Sequence, residues 1–312
     1  MANMINMLNF FNNKEYPFIT REYYIDRANI IILKKDDMHK LKNSNIVANI
    51  IIFIDSKLLY DMIEMLLKIT VNFILITCSN SDYCIPYLVH PNIRYYKITE
   101  LLLNKVNLIK WYTTNPSTIH KKIVPVFIGP KIQWKSTQFF GEDNSYIKSI
   151  YMKYYNLSYN LFKNKRTTNK LLYFNFDVNT TKSPHYNEHR NIRPKINKIL
   201  LENKFKPNMK KEFKDYMEEL KEYKFSISPP GNAIDAHRTW ESLIVGTIPI
   251  VLQSPLHIQD TNNMHFNKLP ILIVDCYSVI TSDYLCQKYD EIIKKDYDFN
   301  VLYCCYWNDI IK

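Results

Sequence analysis

The chain has 312 residues, of which 46% are hydrophobic and 14% aromatic, and its formal net charge at pH 7 is +11. This apolar content is enough for one large buried core or two of ordinary size, which excludes an intrinsically disordered chain. The longest apolar runs have the length of strands, and residues 1–11 lack a basic region followed by a long apolar run. The sequence therefore predicts neither a membrane-spanning helix nor a secretion signal, and we expect a soluble protein of the cytoplasm.

The excess of positive charge is compatible with nucleic acid, with an anionic membrane surface, or with small anionic ligands such as nucleoside diphosphates. The basic residues are dispersed, and those of residues 204–214 alternate with acidic residues there and just beyond, as on a solvated helix face. The sequence contains no helix-turn-helix, zinc-finger or ribonucleoprotein signature. The six cysteines show no C-x-x-C spacing and no histidine at ligand spacing, which indicates neither a zinc site nor a disulfide framework.

The first part of the chain alternates strand-like and helix-like segments. Residues 46–54 form an apolar, β-branched run, residues 58–68 have helical spacing, and residues 73–77 again have the pattern of a buried strand. A helix or helical turn is predicted at residues 101–108 and a further strand at residues 124–128. This alternation favours an α/β fold with a parallel sheet and helical crossovers.

These segments define the domain organisation that we predict. Residues 1–140 form an N-terminal Rossmann-like domain, and residues 141–168, which are polar and rich in tyrosine, form a linker helix. A second series of strands and helices gives a C-terminal Rossmann-like domain over residues 169–290. Residues 291–312 remain as a C-terminal segment.

The most informative stretch is residues 225–251, which reads FSISPPGNAIDAHRTWESLIVGTIPIV. A short β-rich run, a glycine turn, an amphipathic helix and a second apolar strand follow one another there without spare residues. That order builds a small-ligand site at a strand-to-helix junction.

The polar residues of this stretch are of the kinds that hold a sugar nucleotide. A diphosphate placed at the turn would meet free backbone N–H groups of the helix and a guanidinium together. Arg238 and Glu241 are three residues apart and share a helix face, whereas Trp240 falls on an apolar one. The candidate ligand-binding residues are Ser228, Gly231, Asn232, Asp235, His237, Arg238 and Glu241.

The stretch resembles the donor-nucleotide motif of exostosin-like glycosyltransferases, and among them the compact, soluble transferases of large DNA viruses. The match runs over residues 228–250 apart from Ala233, where glycine is usual. Upstream, residues 73–82, FILITCSNSD, are similar to the family's apolar strand that ends in T-H-N-S-D, although this loop is one residue longer. The resemblance covers roughly residues 45–285. Further similar segments are residues 109–115, 123–129 and 269–275.

The resemblance implies a GT-B fold, in which two Rossmann-like domains enclose the active site in the cleft between them. The N-terminal domain would face the acceptor, the C-terminal domain would bind the nucleotide sugar, and residues 291–312 would return to the N-terminal domain. The implied activity is transfer of a sugar from a UDP-sugar, xylose being one donor, to a glycan or other hydroxyl acceptor. The family also implies inversion at the sugar and no metal or cofactor.

The resemblance assigns two further residues. Asp82 corresponds to the catalytic base, and Arg190 to a phosphate contact. Arg190 is preferred to Arg193 because Pro194 begins a new segment. If the protein is encoded by a virus, the cytoplasm in which we expect it is that of the host cell.

Inverting transfer requires a base that takes the proton of the acceptor hydroxyl and a positively charged environment for the departing diphosphate. Arg238 fits the second role by position, the alternative being an ion pair with Glu241. Glu241 is expected to accept the ribose hydroxyls, unless it is a helix-surface carboxylate. His237 could equally be a packed side chain that donates to a carbonyl, and Asp82 could bond its own backbone, as turn aspartates do.

Other functions stay open. The altered loop before Asp82 motivates a non-catalytic nucleotide-sugar or glycan-binding module, and the net charge alone motivates a nucleic-acid-binding protein. Asp296 and Asp298 form a D-x-D sequence, by which another glycosyltransferase fold holds Mg²⁺ or Mn²⁺, but they lie outside any strand end. We expect a UDP-sugar and a glycan acceptor as partners, no metal, no nucleic acid and no stable membrane insertion.

Overall fold

The computed structural model describes residues 17–43, 48–79, 93–133, 138–139, 142–164, 168–179, 192–231, 233–258 and 265–311. Three of the predicted site residues, Asp82, Arg190 and Asn232, lie outside these ranges. Among the described residues, no helix is both long and apolar enough to span a membrane.

The first group of elements alternates strands with helices. In chain order it comprises α1 (Arg21–Asp26), β1 (Ile30–Ile32), α2 (His39–Asn43), β2 (Ile50–Asp55), α3 (Leu59–Lys68), β3 (Phe73–Cys78), α4 (Ile93–Asn104), β4 (Leu108–Thr113) and β5 (Ile123–Pro125). The strand predicted at 73–77 and the helix predicted at 58–68 are confirmed as β3 and α3. The helix predicted at 101–108 ends early, because Leu108 already begins β4.

Five parallel strands form the first sheet, in the order β1-β2-β3-β4-β5. Every residue of β2 and β3 is buried, which explains why both strands are continuous apolar runs instead of alternating ones. Alternate side chains belong to two cores. One core contains Met62 of α3 and Leu102 of α4, and the other contains Tyr24 of α1 and Trp307 near the C-terminus.

Two helices follow the first sheet. The elements of this part of the chain are β6 (Gln138–Phe139), β7 (Glu142–Asp143), α5 (Asn144–Lys153) and α6 (Ser158–Lys163). All of them except β6 lie within residues 141–168, which are predicted as one linker helix. The break between α5 and α6 contains Asn156 in the left-handed conformation, with φ of 60°, a conformation that asparagine tolerates better than most residues and that ends helices.

The second group of elements carries the 225–251 stretch. In chain order it comprises β8 (Lys170–Tyr173), α7 (Ile192–Glu202), α8 (Phe213–Lys221), β9 (Tyr223–Ile227), α9 (His237–Ile244), β10 (Ile248–Leu252), α10 (Pro255–Ile258), β11 (Leu272–Val274), α11 (Ser282–Ile292) and α12 (Cys304–Trp307). Its four strands are parallel, in the order β11-β10-β9-β8. The predicted α/β class with parallel sheets is thereby confirmed.

In both sheets the described strands are ordered as they are in the chain, without the reversal that marks the doubly wound pattern. All strands of a sheet run the same way. The carboxyl ends of β1 to β5 therefore lie together at one edge of the first sheet, and those of β8 to β11 lie together at one edge of the second sheet. Loops that leave these edges are the places where α/β proteins bind ligands.

The residues after α11 contact the first group of elements. The backbone N–H of Ile19 donates to the carbonyl of Leu302 at 3.1 Å, and the Tyr112 hydroxyl of β4 donates to the carbonyl of Ile310 at 2.7 Å. One contiguous core includes buried residues of this segment and of both sheets. The two sheets are therefore joined by packing as well as by the chain.

Candidate functional site

The glycine turn and α9 follow β9 directly, and two pairs of hydroxyl groups hold the helix against the strand. The Ser226 and Ser242 oxygens are 2.6 Å apart, and those of Ser228 and Thr239 are 2.7 Å apart. All four side chains are buried. The predicted ligand-binding residue Ser228 thus has a protein partner, and its bond fixes the first turn of α9.

The turn before α9 is held by Arg193 of α7. Its Nε donates to the carbonyl of Pro230 at 2.9 Å, and its Nη1 donates to the carbonyl of Asp177 at 3.0 Å. A Cβ at Gly231 would lie 2.7 Å from Nη2 of Arg193, so glycine is what permits this close approach. Arg193, which the sequence analysis ranks below Arg190, therefore lies at the predicted phosphate turn.

Arg238 lies next, on the first turn of α9, and its positive charge acts on Arg193. Burial, and then the neighbouring charge of Arg238, lower the pKa of Arg193 to about 10. The Arg238 guanidinium carbon is 5.9 Å from the ring centre of Tyr173 and 5.6 Å from that of Tyr216. Its Nη1 is buried and has no hydrogen-bond partner among the described residues. An unpaired buried N–H costs about 1–3 kcal/mol, a cost that an anionic ligand would remove.

Glu241 is buried one turn further along α9. The hydroxyl of Tyr151 donates to its Oε1 at 3.2 Å, and the hydroxyl of Tyr216 donates to its Oε2 at 2.8 Å. Burial and the Glu241 carboxylate raise the pKa of both tyrosines well above the usual value, so both hydroxyls stay protonated donors. Each carboxylate oxygen of Glu241 already accepts one hydrogen bond from a tyrosine. A ribose hydroxyl could therefore bond to Glu241 only through the remaining lone pair of an oxygen.

Asp235 connects the motif to the first sheet. Its Oδ2 accepts from the backbone N–H of Ile128 at 2.9 Å, and both carboxylate oxygens lie within 3.0 Å of Nε1 of Trp240. Its own N–H donates to Oδ1 of Asn115 at 2.7 Å. Burial raises the pKa of Asp235 to about 7. The residue is buried, and its carboxyl group is bonded within the protein.

His237 makes a second connection to the same loop. Its Nδ1 is 2.8 Å from the carbonyl oxygen of Gly129, an acceptor only, so Nδ1 carries a proton. Burial lowers the pKa of His237, which favours the neutral ring with a lone pair on Nε2. The interaction matches the packed role considered for this residue and leaves Nε2 as an acceptor or base.

Asn115, Tyr151 and Tyr216 are among the contributors to the site that the sequence does not predict. Asn115 follows β4 at the carboxyl edge of the first sheet, a position that could have marked it. The two tyrosines are 90 and 25 residues from Glu241 in sequence, and no spacing rule connects them to it.

The D-x-D residues are engaged separately. Asp296 is 3.4 Å from Nζ of Lys163, and Asp298 is 3.8 Å from Nζ of Lys268 and accepts from the N–H of Asn300. Within the described part of the chain, no group of three or more histidine, cysteine or acidic residues has the arrangement of a metal site.

The chain matches none of the family models and none of the curated proteins with which it was compared. The chemistry of the site is therefore inferred from its side chains. Two guanidiniums, a glycine turn and a helix whose N-cap residue, Ala236, has no capping side chain form a positively charged place for a bound anion.

Proposed function

We propose that the protein is a glycosyltransferase with a GT-B arrangement, which transfers a sugar from a UDP-sugar to a hydroxyl acceptor. The observation that carries the proposal is the buried, unpaired Nη1 of Arg238 beside the glycine turn, a donor without a partner among the described residues. Arg238 and the N-terminus of α9 would bind the diphosphate, and Arg193 would shape the turn around Gly231. The two parallel sheets, each with one carboxyl edge, support the two-domain part of the proposal.

In the proposed reaction the acceptor oxygen loses its proton to a carboxylate and attacks the anomeric carbon of the donor. The bond from that carbon to the diphosphate oxygen breaks, and UDP leaves with the electron pair. Arg238 and the helix N-terminus would stabilise the charge that develops on UDP, the role that a metal has in other transferases. The resemblance to exostosin-like enzymes supports Asp82 as the base and xylose as one donor sugar.

The decisive experiment is a calorimetric titration of UDP into the wild type and Arg238→Ala. A charge-assisted bond to a diphosphate contributes about 1.5–3 kcal/mol, so the variant should bind UDP at least about tenfold more weakly. Arg27→Ala is the matched control, since Arg27 also lies over a tyrosine ring, at 5.2 Å from Tyr23, and belongs to the first group of elements. Equal UDP affinity in folded Arg238→Ala would refute the proposed donor site.

A panel of UDP-sugars, with hydrolysis or transfer as the readout, then separates an enzyme from a binding module. Asp82→Asn should leave UDP affinity nearly unchanged and lower transfer by about two to four orders of magnitude, the range for a positioned general base. Transfer should also survive EDTA. A wild type that binds UDP but turns over no donor would favour the non-catalytic module.

A further inference from the structure

The amino edge of the first sheet, opposite the candidate site, carries exposed aliphatic side chains on adjoining turns. They lie at the end of α4, in the turn before β4, at the start of β4 and in the connection from β4 to β5. The residues, with their exposed fractions, are Leu101 (57%), Val106 (82%), Ile109 (43%) and Ile119 (53%).

Hydrogen bonds bring these turns together. Nζ of Lys122 donates to the carbonyl of Lys105 at 2.5 Å, which joins the turn before β4 to the connection before β5. The carbonyl of Lys122 accepts from the N–H of Trp111 at 2.7 Å in β4. The aliphatic residues therefore belong to one surface, which we call the amino-edge surface.

The amino-edge surface carries more positive than negative charge. Residues 100–123 contain four lysines and one carboxylate, Glu100, which is exposed beside Leu101. Neither Lys110 nor Lys121, both exposed, forms an ion pair with a described carboxylate. Burial, and then the charge of Lys121, lower the pKa of Lys122, as expected where positive charges crowd together. Charge complementarity thus calls for an anionic partner.

We propose that the amino-edge surface docks the protein on an anionic lipid membrane, with the aliphatic side chains in the headgroup region and the lysines against the phosphates. Exposed aliphatic residues fit lipid, whereas a surface for single-stranded nucleic acid would present aromatic rings for stacking. The protein would lie on the bilayer without spanning it.

The position of the surface leaves the candidate site accessible. A strand rises about 3.3 Å per residue, so the six residues of β4 place the two edges of the sheet about 20 Å apart. In a protein docked by its amino edge, Arg238 and the glycine turn would face away from the lipid, toward substrates in solution.

The test is co-sedimentation of the full chain with phosphatidylcholine vesicles, with and without phosphatidylserine, at low and high salt. We expect binding that requires phosphatidylserine and weakens with salt. Each lysine near such a surface changes affinity about fivefold, so Lys110→Glu with Lys121→Glu should weaken binding by about 25-fold or more. The control, Lys210→Glu with Lys214→Glu, makes the same change in net charge on another surface and should have little effect.

The aliphatic part is tested by Val106→Asp, with Met209→Asp as its control because Met209 is 79% exposed. Val106→Asp should weaken vesicle binding by about tenfold, through loss of apolar contact and added repulsion, and Met209→Asp should not. Equal binding to uncharged vesicles, equal loss in the control variants, or binding of duplex DNA or RNA without vesicle binding would each overturn the proposal.

Discussion

Two groups of residues within the same motif differ in how their polar atoms are used. Asp235 and His237 have partners in the loops after β4 and β5, at 2.7–2.9 Å, and are bonded within the protein. Arg238, one residue later, keeps a buried N–H without a partner among the described residues. Asp235 and His237 therefore connect the motif to the first sheet, whereas Nη1 of Arg238 has a hydrogen bond to offer to a ligand.

Other predicted ligand-binding residues of the motif are also bonded within the protein. Ser228, Asp235 and Glu241 are polar residues of kinds that bind nucleotides, yet each has protein partners here. Residue type alone therefore does not separate a ligand-binding side chain from one that supports it. Eleven buried side-chain atoms of the described residues have no hydrogen-bond partner, and Nη1 of Arg238 is the one that lies among the described residues of the 225–251 stretch. An unpaired donor at this place in the motif is the more specific signal, because buried polar atoms are usually bonded.

The largest expected effect is on stability, for Asp235→Ala. The change leaves the buried N–H of Ile128 and Nε1 of Trp240 without their acceptor, at about 1–3 kcal/mol each, so the free energy of unfolding should fall by about 2–6 kcal/mol. Urea unfolding measures it. Arg238→Ala is the comparison and should change this free energy by less than about 1 kcal/mol, because removal of an unpaired donor offsets the loss of the contacts with Tyr173 and Tyr216. An equally large loss of stability in Arg238→Ala would contradict the structural role of Asp235 and the different role of Arg238.

The pH dependence of stability sharpens the same contrast. An aspartate carboxyl ordinarily has a pKa of 3.8, and burial raises the pKa of Asp235 in the folded protein to about 7, so the folded state binds its proton more tightly than the unfolded state does. Its contribution to stability is fully present below about pH 4 and is lost as pH rises toward 7, by at most about 1.4 kcal/mol per pH unit.

The measurement is the difference in unfolding free energy between wild type and Asp235→Asn across this pH range. Buried His257 and His265, whose pKa values burial lowers to about 4, contribute with the opposite sign. They are present in both proteins and cancel in the difference. A difference that does not change with pH would mean that Asp235 does not titrate in this window.

The smallest effect is expected for Gly231→Ala. The new methyl group would displace the end of the flexible Arg193 side chain and weaken one hydrogen bond to the turn, at about 0.5–1.5 kcal/mol. UDP affinity should fall a few-fold. Gly246→Ala is the control on steric grounds, because a Cβ there would lie 2.4 Å from the backbone nitrogen of Phe162 and φ is 71°. In thermal unfolding, the melting temperature of Gly246→Ala should be far lower than that of Gly231→Ala.

The sequence predicts those parts of the fold in which one local pattern decides the outcome. The short apolar run at residues 73–77 has the length and residue types of a strand with two covered faces, and it is β3. By contrast β1 has only three residues, Ile30–Ile32, too few for periodicity to show. The positions of Tyr151 and Tyr216 around Glu241 depend on how α5 and α8 pack on α9, which is a tertiary property that no local spacing encodes.

The bonds from Asp235 and His237 to Asn115, Ile128 and Gly129 also make the motif sensitive to changes outside it. All of them reach one three-residue segment that immediately precedes Arg238. A substitution that displaced the loops after β4 and β5 would therefore shift the start of α9. The position of the Arg238 guanidinium thus depends on residues of the first sheet's loops, more than 100 residues away in sequence.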